Sequence, residues 1–428
     1  MRARLRLLRD FAERKAVDGQ RYDLIIAGGS FVGLALACGL AKCAPGGFRI
    51  AVVERMPAAE ARSGAFDGRS VALTAAAKQM LGALGIWPRI SADAQPVLAM
   101  DITDSKLEFP IRSVLLNFRV EQGGDEPSAL IVENAVLRRA LYEAAESLPD
   151  VTLIAPETVA GIELGESSAA VTLGSGKKLL ANLLVAADGQ RSALRKMAGF
   201  KIVEWTSDQA AISGTIAHEK PHQGNAVQHF LPSGPFALLP MVGNRSSIVW
   251  TERADEARRI MASGEAEMLA EIDKRIGGAL GRISLAGKLS AFPLSMTLSR
   301  GFVKPRIALA GDAAHGLHWL AGQGLNHGLK DVAALTEVLV DAARLGLDPG
   351  DLTVLERYER WRRFDSASSA MSAAALNRLF ANDNAPLRMA RQFGLGVVDR
   401  LPGLKRFFMQ EAAGLTGELP KLLRGELA

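Results

Sequence analysis

A glycine-rich turn near the N-terminus constrains the fold of this chain more than any other feature of its sequence. Residues 28–33 (GGSFVG) follow the apolar run 22–27 and precede a stretch of small, helix-forming residues, 34–44. A second apolar run, residues 49–54, comes next. This strand–turn–helix–strand order is typical of a dinucleotide-binding unit, whose glycines allow a tight turn and the close approach of a pyrophosphate. The sequence therefore predicts an α/β fold built around a parallel sheet.

Individual positions in this unit indicate which ligand groups it would hold. Gly28 and Gly33 occupy the first and third glycine positions of the fingerprint, whereas Ser30 stands at the middle one. Serine is small enough for that position and can cap the following helix. Glu54, at the end of the second strand, can accept hydrogen bonds from ribose hydroxyls, which favours an adenine dinucleotide without a 2′-phosphate. Taken alone, the motif also fits an ordinary glycine-rich turn.

A second turn follows the apolar run 183–187. Asp188 and Gly189 stand at the end of that run, and Ser192 and Arg195 lie one helical turn apart in the next segment. Ligands of open parallel sheets collect at the carboxyl ends of the strands, so Asp188 is a candidate binding residue. The alternative is a capped strand–helix turn followed by a surface arginine.

The third motif, residues 306–326 (RIALAGDAAHGLHWLAGQGLN), is the most specific signal in the chain. A predicted strand leads to Gly311 and Asp312, whose carboxylate can bind a hydroxylated chain such as ribitol. Residues 322–326 then open a long predicted helix whose backbone amides are largely uncovered by side chains. Those amides and the helix dipole can stabilise negative charge on the N1–C2 edge of a reduced flavin.

Histidines and cysteines near these motifs raise the question of a metal site. His315, His318 and His327 have no cysteine or carboxylate ligands at metal-binding spacing, so we expect no metal and interpret them as structural or pocket-lining residues. Cys38 and Cys43 also match no metal spacing, and we expect two reduced thiols.

Together the motifs resemble the flavoprotein aromatic hydroxylases with a single dinucleotide fold, the group of para-hydroxybenzoate hydroxylase, and most closely its ubiquinone-biosynthesis hydroxylases. The resemblance covers nearly everything from residue 22 onward, and its further segments are 67–73 (DGRSVAL), 84–87 (LGIW), 133–138 (ENAVLR), 234–240 (GPFALLP), 311–315 (GDAAH), 321–326 (AGQGLN), 393–395 (FGL) and 401–405 (LPGLK). Two positions depart from the family pattern: Ser30 replaces a glycine, and Trp319 replaces the usual proline.

The resemblance implies an FAD cofactor, reduced by transiently bound NAD(P)H, with dioxygen activated at the flavin C4a position and one oxygen atom passed to an electron-rich ring carbon. Arg69 and Arg138 would lie near the pyrophosphate or the flavin, and Asp188 would serve both FAD and the nicotinamide donor. The alternative for each arginine is a solvated surface charge. We assign no catalytic side chain, because the cofactor carries the chemistry.

Motifs and resemblance together give two sets of site residues. The predicted cofactor contacts are Gly28, Gly29, Ser30, Gly33, Glu54, Arg55, Arg69, Asn134, Arg138, Asp188, Gly311, Asp312, Gly322, Gln323, Gly324, Leu325 and Asn326. The substrate pocket is expected between the flavin and the sheet segment 230–240, and its candidate lining residues are Phe230, Phe236, Leu238, Pro240, His318 and Trp319. Such apolar stretches also occur as plain core.

The 428 residues exceed the usual size of one domain, and sheet-like inserts separate the three motifs. We expect a Rossmann-like FAD domain of α/β class, an inserted antiparallel-sheet substrate domain and a helical C-terminal tail. Their predicted ranges are 21–95, 128–200 and 295–345 for the first, 96–127 and 201–294 for the second, and 346–428 for the third. Local patterns predict a helix at 71–84, a helix at 135–147 capped by Asn134, and alternating strands from 201 to 294.

The implied function is ring hydroxylation of a polyprenyl phenol in ubiquinone biosynthesis by an FAD-dependent monooxygenase. Alternatives are another aromatic hydroxylase, a polyprenyl reductase, or a non-catalytic flavin-binding assembly subunit.

A net charge of +5 without a dense basic run argues against nucleic acid as a partner. We expect no transmembrane helix and a cytoplasmic protein, with residues 1–21 as a cytoplasmic extension and an organellar leader as the alternative. The tail 387–427, which mixes apolar and basic residues, could bind the inner-membrane surface, a biosynthetic complex or its own domain.

Overall fold

The computed structural model describes residues 20–104, 107, 113–120, 127–317, 323–380, 386, 391, 394, 396 and 398–428. Its larger core surrounds a mixed sheet with a parallel centre. In spatial order the strands are β18 (Val303–Lys304), β19 (Ile307–Leu309), β11 (Lys178–Ala186), β1 (Gln20–Ala27), β2 (Ile50–Val53) and β8 (Val151–Ile154). The strands from β19 to β8 are parallel, whereas β18 is antiparallel, and the hairpin of β9 (Val159–Leu164) and β10 (Ala169–Leu173) extends β11.

Apolar runs form these central strands because both faces of the sheet are covered. Every residue of β2 is buried, and so is the apolar end of β1. The helices that follow the early strands are α1 (Phe31–Cys43), α2 (Ala58–Ser63), α3 (Ala75–Ala83), α4 (Asn134–Glu146) and α5 (Ala193–Met197). Helix α4 begins one residue before the predicted start, so Glu133 rather than Asn134 is its N-cap.

The second core lies on one face of a largely antiparallel sheet. In spatial order its strands are β20 (His315–Leu317), β17 (Ser290–Ser299), β12 (Ile202–His218), β15 (Arg245–Arg253), β14 (Gly234–Met241), β13 (Asn225–Leu231), β5 (Ala99–Asp104) and β6 (Leu116–Arg119), with β16 (Ile283–Leu285) beside β12. Pairs in this sheet are antiparallel except for β13 with β5.

Two helices interrupt the predicted run of strands between 201 and 294. They are α6 (Ala254–Ala262) and α7 (Glu265–Ile276), and the all-strand prediction was wrong there. Their buried residues, including Ile260 and Ile272, complete the core against the sheet. The apolar positions recur every three or four residues, which is the helical period rather than the strand period.

A small antiparallel sheet replaces part of the helix predicted at 71–84. It contains β3 (Ser70–Thr74), β7 (Ala129–Glu133) and β4 (Gln95–Pro96). Val71 and Leu73 alternate with half-buried neighbours and pair with β7, so a period of two prevails in this segment. The hydroxyl oxygen of Thr74 accepts a hydrogen bond from the amide of Ala77 (3.2 Å) and caps α3, which occupies the rest of the predicted helix.

The C-terminal half of the chain is mainly helical, as predicted. Among the described residues its helices include α8 (Gln323–Arg344), α9 (Leu352–Phe380) and α10 (Pro402–Ala412). Short 3₁₀ turns occur at Trp87–Arg89, Ser91–Asp93, Gly311–Ala313 and Lys421–Arg424. Among the described residues, no helix combines the length and the apolar character needed to cross a bilayer. The architecture is the predicted one: a Rossmann-like parallel sheet, an antiparallel sheet and a helical C-terminal segment.

Candidate active site

The sequence motifs meet along one edge of the parallel sheet. Gly28 follows β1, Glu54 follows β2, Asp188 lies just beyond β11, and Gly311 lies just beyond β19. Because these four strands are neighbours and parallel, their carboxyl ends lie side by side. Motifs that are far apart in the sequence therefore form a single continuous edge.

The first turn has no room for side chains at its key glycines. A Cβ atom on Gly28 would lie 2.2 Å from the carbonyl oxygen of Ala187, and the backbone there has a φ of +109°. A Cβ atom on Gly33 would lie 1.8 Å from the carbonyl oxygen of Gly28. The turn therefore presents bare backbone at the N-terminus of α1, which is the arrangement that binds a pyrophosphate.

Residues around this turn differ in how they are placed. The carboxylate of Glu54 accepts hydrogen bonds from the amides of Gly29 (2.6 Å) and Met56 (2.8 Å), so it lies at the turn itself. The side chain of Arg55 is exposed. Ser30 occupies the N-cap position of α1, but its side chain makes no capping hydrogen bond, so the predicted capping role is wrong.

At the second turn, Asp188 caps the helix that follows. Its carboxylate accepts hydrogen bonds from the hydroxyl of Ser192 (2.5 Å) and from the amides of Ala193 (2.9 Å) and Leu194 (3.3 Å). The capped strand–helix turn is therefore present, and any contact of Asp188 with a ligand would be an additional role.

Arg195 is buried, so the surface arginine of that alternative interpretation is wrong. Its guanidinium donates to the carbonyl oxygens of Ala313 (2.9 Å) and Gln190 (2.8 Å). Gln190 in turn donates to the hydroxyl of Ser295 in β17 (3.0 Å). The second motif thereby connects the third motif with the antiparallel sheet, a role that sequence spacing did not indicate.

The turn of the third motif packs directly on the first motif. Gly311 has a φ of +61°, and a Cβ atom there would lie 3.0 Å from Cγ2 of Val32. A Cβ atom on Gly328, in the second turn of α8, would lie 2.6 Å from the same methyl group. Asp312 follows Gly311 with a half-buried side chain, at the sheet edge where a ribitol-binding carboxylate was predicted.

Helix α8 is described from Gln323 onward, and its residues Gly324 and Leu325 are half-buried. The next residue of the helix, Asn326, is buried and connects α8 to β3. The side-chain oxygen accepts from the amide of Thr74 (3.1 Å), and the side-chain nitrogen donates to the carbonyl oxygen of Ala72 (2.8 Å). Three further predicted residues, Gly322, His318 and Trp319, lie outside the described residues.

A cationic cluster surrounds Asp67 in the loop before β3. Its Oδ2 atom lies 2.9 Å from the guanidinium of Arg69 and 3.7 Å from that of Arg138. Nε of Arg138 and Oδ1 of Asn134 are buried without a hydrogen-bond partner among the described residues. The buried N–H of Arg138 beside a second guanidinium group fits an anionic ligand such as a pyrophosphate, whereas the amide oxygen of Asn134 would need a hydrogen-bond donor.

The antiparallel sheet turns one face towards this loop. The hydroxyl of Thr215 in β12 donates to the carbonyl oxygen of Gly68 (3.0 Å) and lies 3.6 Å from the sulfur of Met241 in β14. Since side chains alternate along a strand, Ala237 and Leu239 share the face of Met241.

Phe236 and Leu238 lie on the opposite face, in the core with α6 and α7. Pro240 shares that side by strand alternation. The alternative interpretation, plain core, therefore applies to Phe236 and Leu238. Phe230 pairs with Pro235 in the β13–β14 ladder, so it lies on the face of Ala237.

These features fit FAD: a bare-backbone turn, a carboxylate beyond β2, a buried arginine Nε with no hydrogen-bond partner among the described residues, and glycine in the first turn of α8. Residues 21–370 match the family model described as an FAD-binding domain. The chain is 40% identical to "Ubiquinone hydroxylase UbiL" of Rhodospirillum rubrum, with 94% of this chain and 92% of that protein covered. It is 33% identical to the 3-demethoxyubiquinol 3-hydroxylase of Escherichia coli, with 93% and 100% covered.

Solved structures agree on the fold. The crystal structure of p-nitrophenol 4-monooxygenase PnpA from Pseudomonas putida superposes with a TM-score of 0.73 at 19% identity, and 93% of this chain and 99% of that chain are covered. The chain therefore belongs to the FAD-binding family of aromatic-ring monooxygenases that includes the ubiquinone hydroxylases, and FAD is its cofactor.

Proposed function

We propose that the protein hydroxylates the ring of a polyprenyl phenol during ubiquinone biosynthesis, with NAD(P)H as the electron donor and dioxygen as the oxygen source. Near full-length similarity to two proteins named as ubiquinone hydroxylases carries this proposal. The packing of the sheet edge supports flavin binding, because Gly28, Gly33 and Gly311 leave no room for side chains there.

The residues of the sheet edge would divide the cofactor between them. Backbone amides after Gly28 would hold the pyrophosphate, Glu54 the ribose and Asp312 the ribitol. The first turn of α8 would place its amides and positive dipole end at the ring edge that becomes negative on reduction. Bound FAD supplies the redox chemistry, and the protein orients the substrate and excludes water.

We place the substrate against the face of the antiparallel sheet that carries Ala237 and Leu239. The hydroxyl-bearing residues Ser213 and Thr251 lie on the same side, because they pair within the β12–β15 ladder with residues of that face. Small apolar side chains suit a prenylated ring, and the hydroxyls can bind a phenol oxygen. Helix α9 packs on β14 and would close this space from one side.

The predicted domain ranges are part of the proposal. Sheet membership supports most of these bounds, because β5, β6 and the strands from β12 to β17 form the antiparallel sheet, whereas β1, β2, β8, β11 and β19 form the parallel one. Strand β20 and the end of β17 belong to the antiparallel sheet although they lie beyond residue 294. We therefore propose residues 96–127 and 201–294 as the substrate-binding unit, inserted into an FAD-binding unit.

Oxygen transfer tests the function directly. Purified protein, reconstituted with FAD and supplied with NAD(P)H and ¹⁸O₂, should incorporate one labelled atom into a short-chain polyprenyl phenol. Reoxidation of the flavin without incorporation would contradict the proposal, and reoxidation coupled to saturation of the prenyl chain would indicate a reductase. A protein that binds FAD but is not reduced by NADH or NADPH would indicate an assembly subunit.

We also propose that α10 attaches the protein to an anionic membrane surface. No residue of this helix is buried, and Phe407 and Phe408 are 53% and 43% exposed. Arg406 is exposed on the same helix, and exposed aromatic rings next to basic side chains are typical of helices that bind in the lipid headgroup region.

Vesicle flotation tests this attachment. The wild-type protein should float with phosphatidylglycerol-containing vesicles, and the double variant Phe407→Ser/Phe408→Ser should lose most of that binding. Phe364→Ser, which changes an 81% exposed aromatic residue on α9, is the matched control and should bind like the wild type. Equal binding of the double variant and the wild type would exclude α10 as the membrane contact.

A further inference from the structure

A buried carboxylate in the middle of α8 makes contacts that the proposed function does not use. Asp331 has no exposed surface. Its Oδ2 atom accepts hydrogen bonds from the amide of Gly311 (2.8 Å) and from Nε2 of His315 (2.6 Å). Its Oδ1 atom accepts from Nε of Arg362 (2.7 Å). Both oxygens of this carboxylate are therefore satisfied, as a buried charge requires.

The charges around Asp331 keep it ionised. Burial alone would raise the pKa of this carboxyl group, but His315 and Arg362 outweigh burial and lower its pKa to about 2. Arg362 also contacts the carboxylate of Asp365 (2.5 Å). A second ion pair joins Asp365 to Lys330 at 3.5 Å. The carboxylate of Asp331 thus lies in a network of two acidic and two basic side chains from α8 and α9.

Asp331 connects two parts of the cofactor site. Gly311 opens the turn beyond β19 that carries Asp312. Gln323, the first residue of α8, lies about 12 Å from Asp331 along the helix at the usual rise per residue. A hydrogen bond from Gly311 to this carboxylate therefore fixes the ribitol-binding turn relative to the helix start that would face the flavin ring.

We propose that Asp331 is a positioning residue for FAD, which sets the separation between the Gly311–Ala313 turn and the N-terminus of α8. FAD is common to every ring-hydroxylating or reducing function considered above. This role of Asp331 therefore does not depend on the identity of the proposed substrate.

A pair of aspartate variants on the same helix provides the first test. Asp331→Asn removes the charge and leaves Arg362 short of a counterion, so the turn loses its anchor. Asp341→Asn is the matched control, because Asp341 also pairs with an arginine, Arg357 (3.3 Å), but at the partly exposed surface of α8. Each apoprotein is titrated with FAD, and amide hydrogen exchange of the FAD-bound form is measured by peptide.

We expect Asp331→Asn to weaken FAD binding by about tenfold or more, the effect of leaving a buried hydrogen-bonding group unsatisfied. Exchange should accelerate in the peptide that contains Gly311 while central strand β1 stays protected. Asp341→Asn should bind FAD within about twofold of the wild type. An unchanged FAD affinity, or faster exchange spread evenly over the parallel sheet, would overturn a positioning role.

A second pair of variants keeps the inference testable if Asp331→Asn does not fold. His315→Gln retains an N–H donor towards Asp331, whereas His315→Leu removes it. The glutamine variant should keep most of the wild-type FAD affinity, and the leucine variant should lose about tenfold. Equal affinities in the two variants would show that the hydrogen bond to Asp331 does not place the turn.

Discussion

Single glycine residues determine how closely the backbone can approach the phosphate groups of FAD. At Gly33 the limiting contact is the carbonyl oxygen of Gly28, only 1.8 Å from the place of a Cβ atom. Backbone of the same turn must move to admit even a methyl group there. The turn is therefore most sensitive to substitution at its glycine residues.

We predict that Gly33→Ala abolishes tight FAD binding, because the displaced turn can no longer present its amides to the pyrophosphate. The protein should be purified without the yellow colour of bound flavin, and titration should show a loss of at least about tenfold in affinity. Gly82→Ala in α3 is the control, since no atom lies within 4 Å of its Cβ position. That variant should bind FAD normally and be stabilised by up to about 1 kcal/mol.

Two charged residues show why part of the site could not be predicted from sequence. Arg195, which precedes the Gly311–Ala313 turn in the chain, donates to the carbonyl oxygen of Ala313. Asp331, which follows the turn, accepts from the amide of Gly311. Nothing in the local sequence identifies a partner so far away. An acidic residue among the apolar positions of α8 was the one available signal for Asp331.

At the scale of elements, strand β14 decides which residues can face a substrate. Phe236 and Leu238 fill the core with α6 and α7, whereas Ala237 and Leu239 point away from that core. The apolar run GPFALLP has no polar–apolar alternation, so sequence alone left its two faces indistinguishable. Because side chains alternate along a strand, neighbouring residues of β14 lie on opposite faces, one in the core and one on the side of the proposed substrate site.

Alanine substitutions at neighbouring positions should separate these two faces. Leu238→Ala should lower the free energy of unfolding by about 2–4 kcal/mol, because it leaves a cavity in the core. Leu239→Ala should cost less than about 1 kcal/mol but raise the KM for the prenylated phenol several-fold. Urea unfolding and steady-state kinetics on both variants provide the measurement. A reversed pattern would mean that the pocket lies on the other face of β14.

At the scale of the whole molecule, a buried ion pair joins the antiparallel sheet to the C-terminal region. The guanidinium of Arg391 donates to both carboxylate oxygens of Asp104, each at 3.0 Å, and both side chains are almost fully buried. Asp104 is the last residue of β5, on the side of the sheet that carries Phe230. The pair therefore fixes Arg391 on the side of the sheet where we place the substrate.

We predict that Asp104→Asn loosens this attachment, because it removes the negative charge that pairs with the buried guanidinium of Arg391. Unfolding should become easier by about 3 kcal/mol or more, and limited proteolysis should cut the C-terminal region faster than in the wild type. Asp399→Asn, which breaks the solvent-exposed pair with Lys405, is the control and should change stability by less than about 1 kcal/mol. Equal protease sensitivity of the two variants would contradict the attachment.

The sequence by itself determined the α/β class and the order of the three cofactor motifs, and its resemblance to a known family of hydroxylases implied FAD. Those conclusions depend on contiguous residues: bare-backbone turns need glycine at fixed spacing, and buried parallel strands need unbroken apolar runs. Only the tertiary structure decided which face of β14 lies towards the loop that contains Gly68. It also decided that Arg195 and Asp331 both hydrogen-bond to the Gly311–Ala313 turn, and that Arg391 pairs with Asp104. These contacts join residues that are distant in the chain, so their geometry depends on how sheets and helices pack rather than on any local pattern.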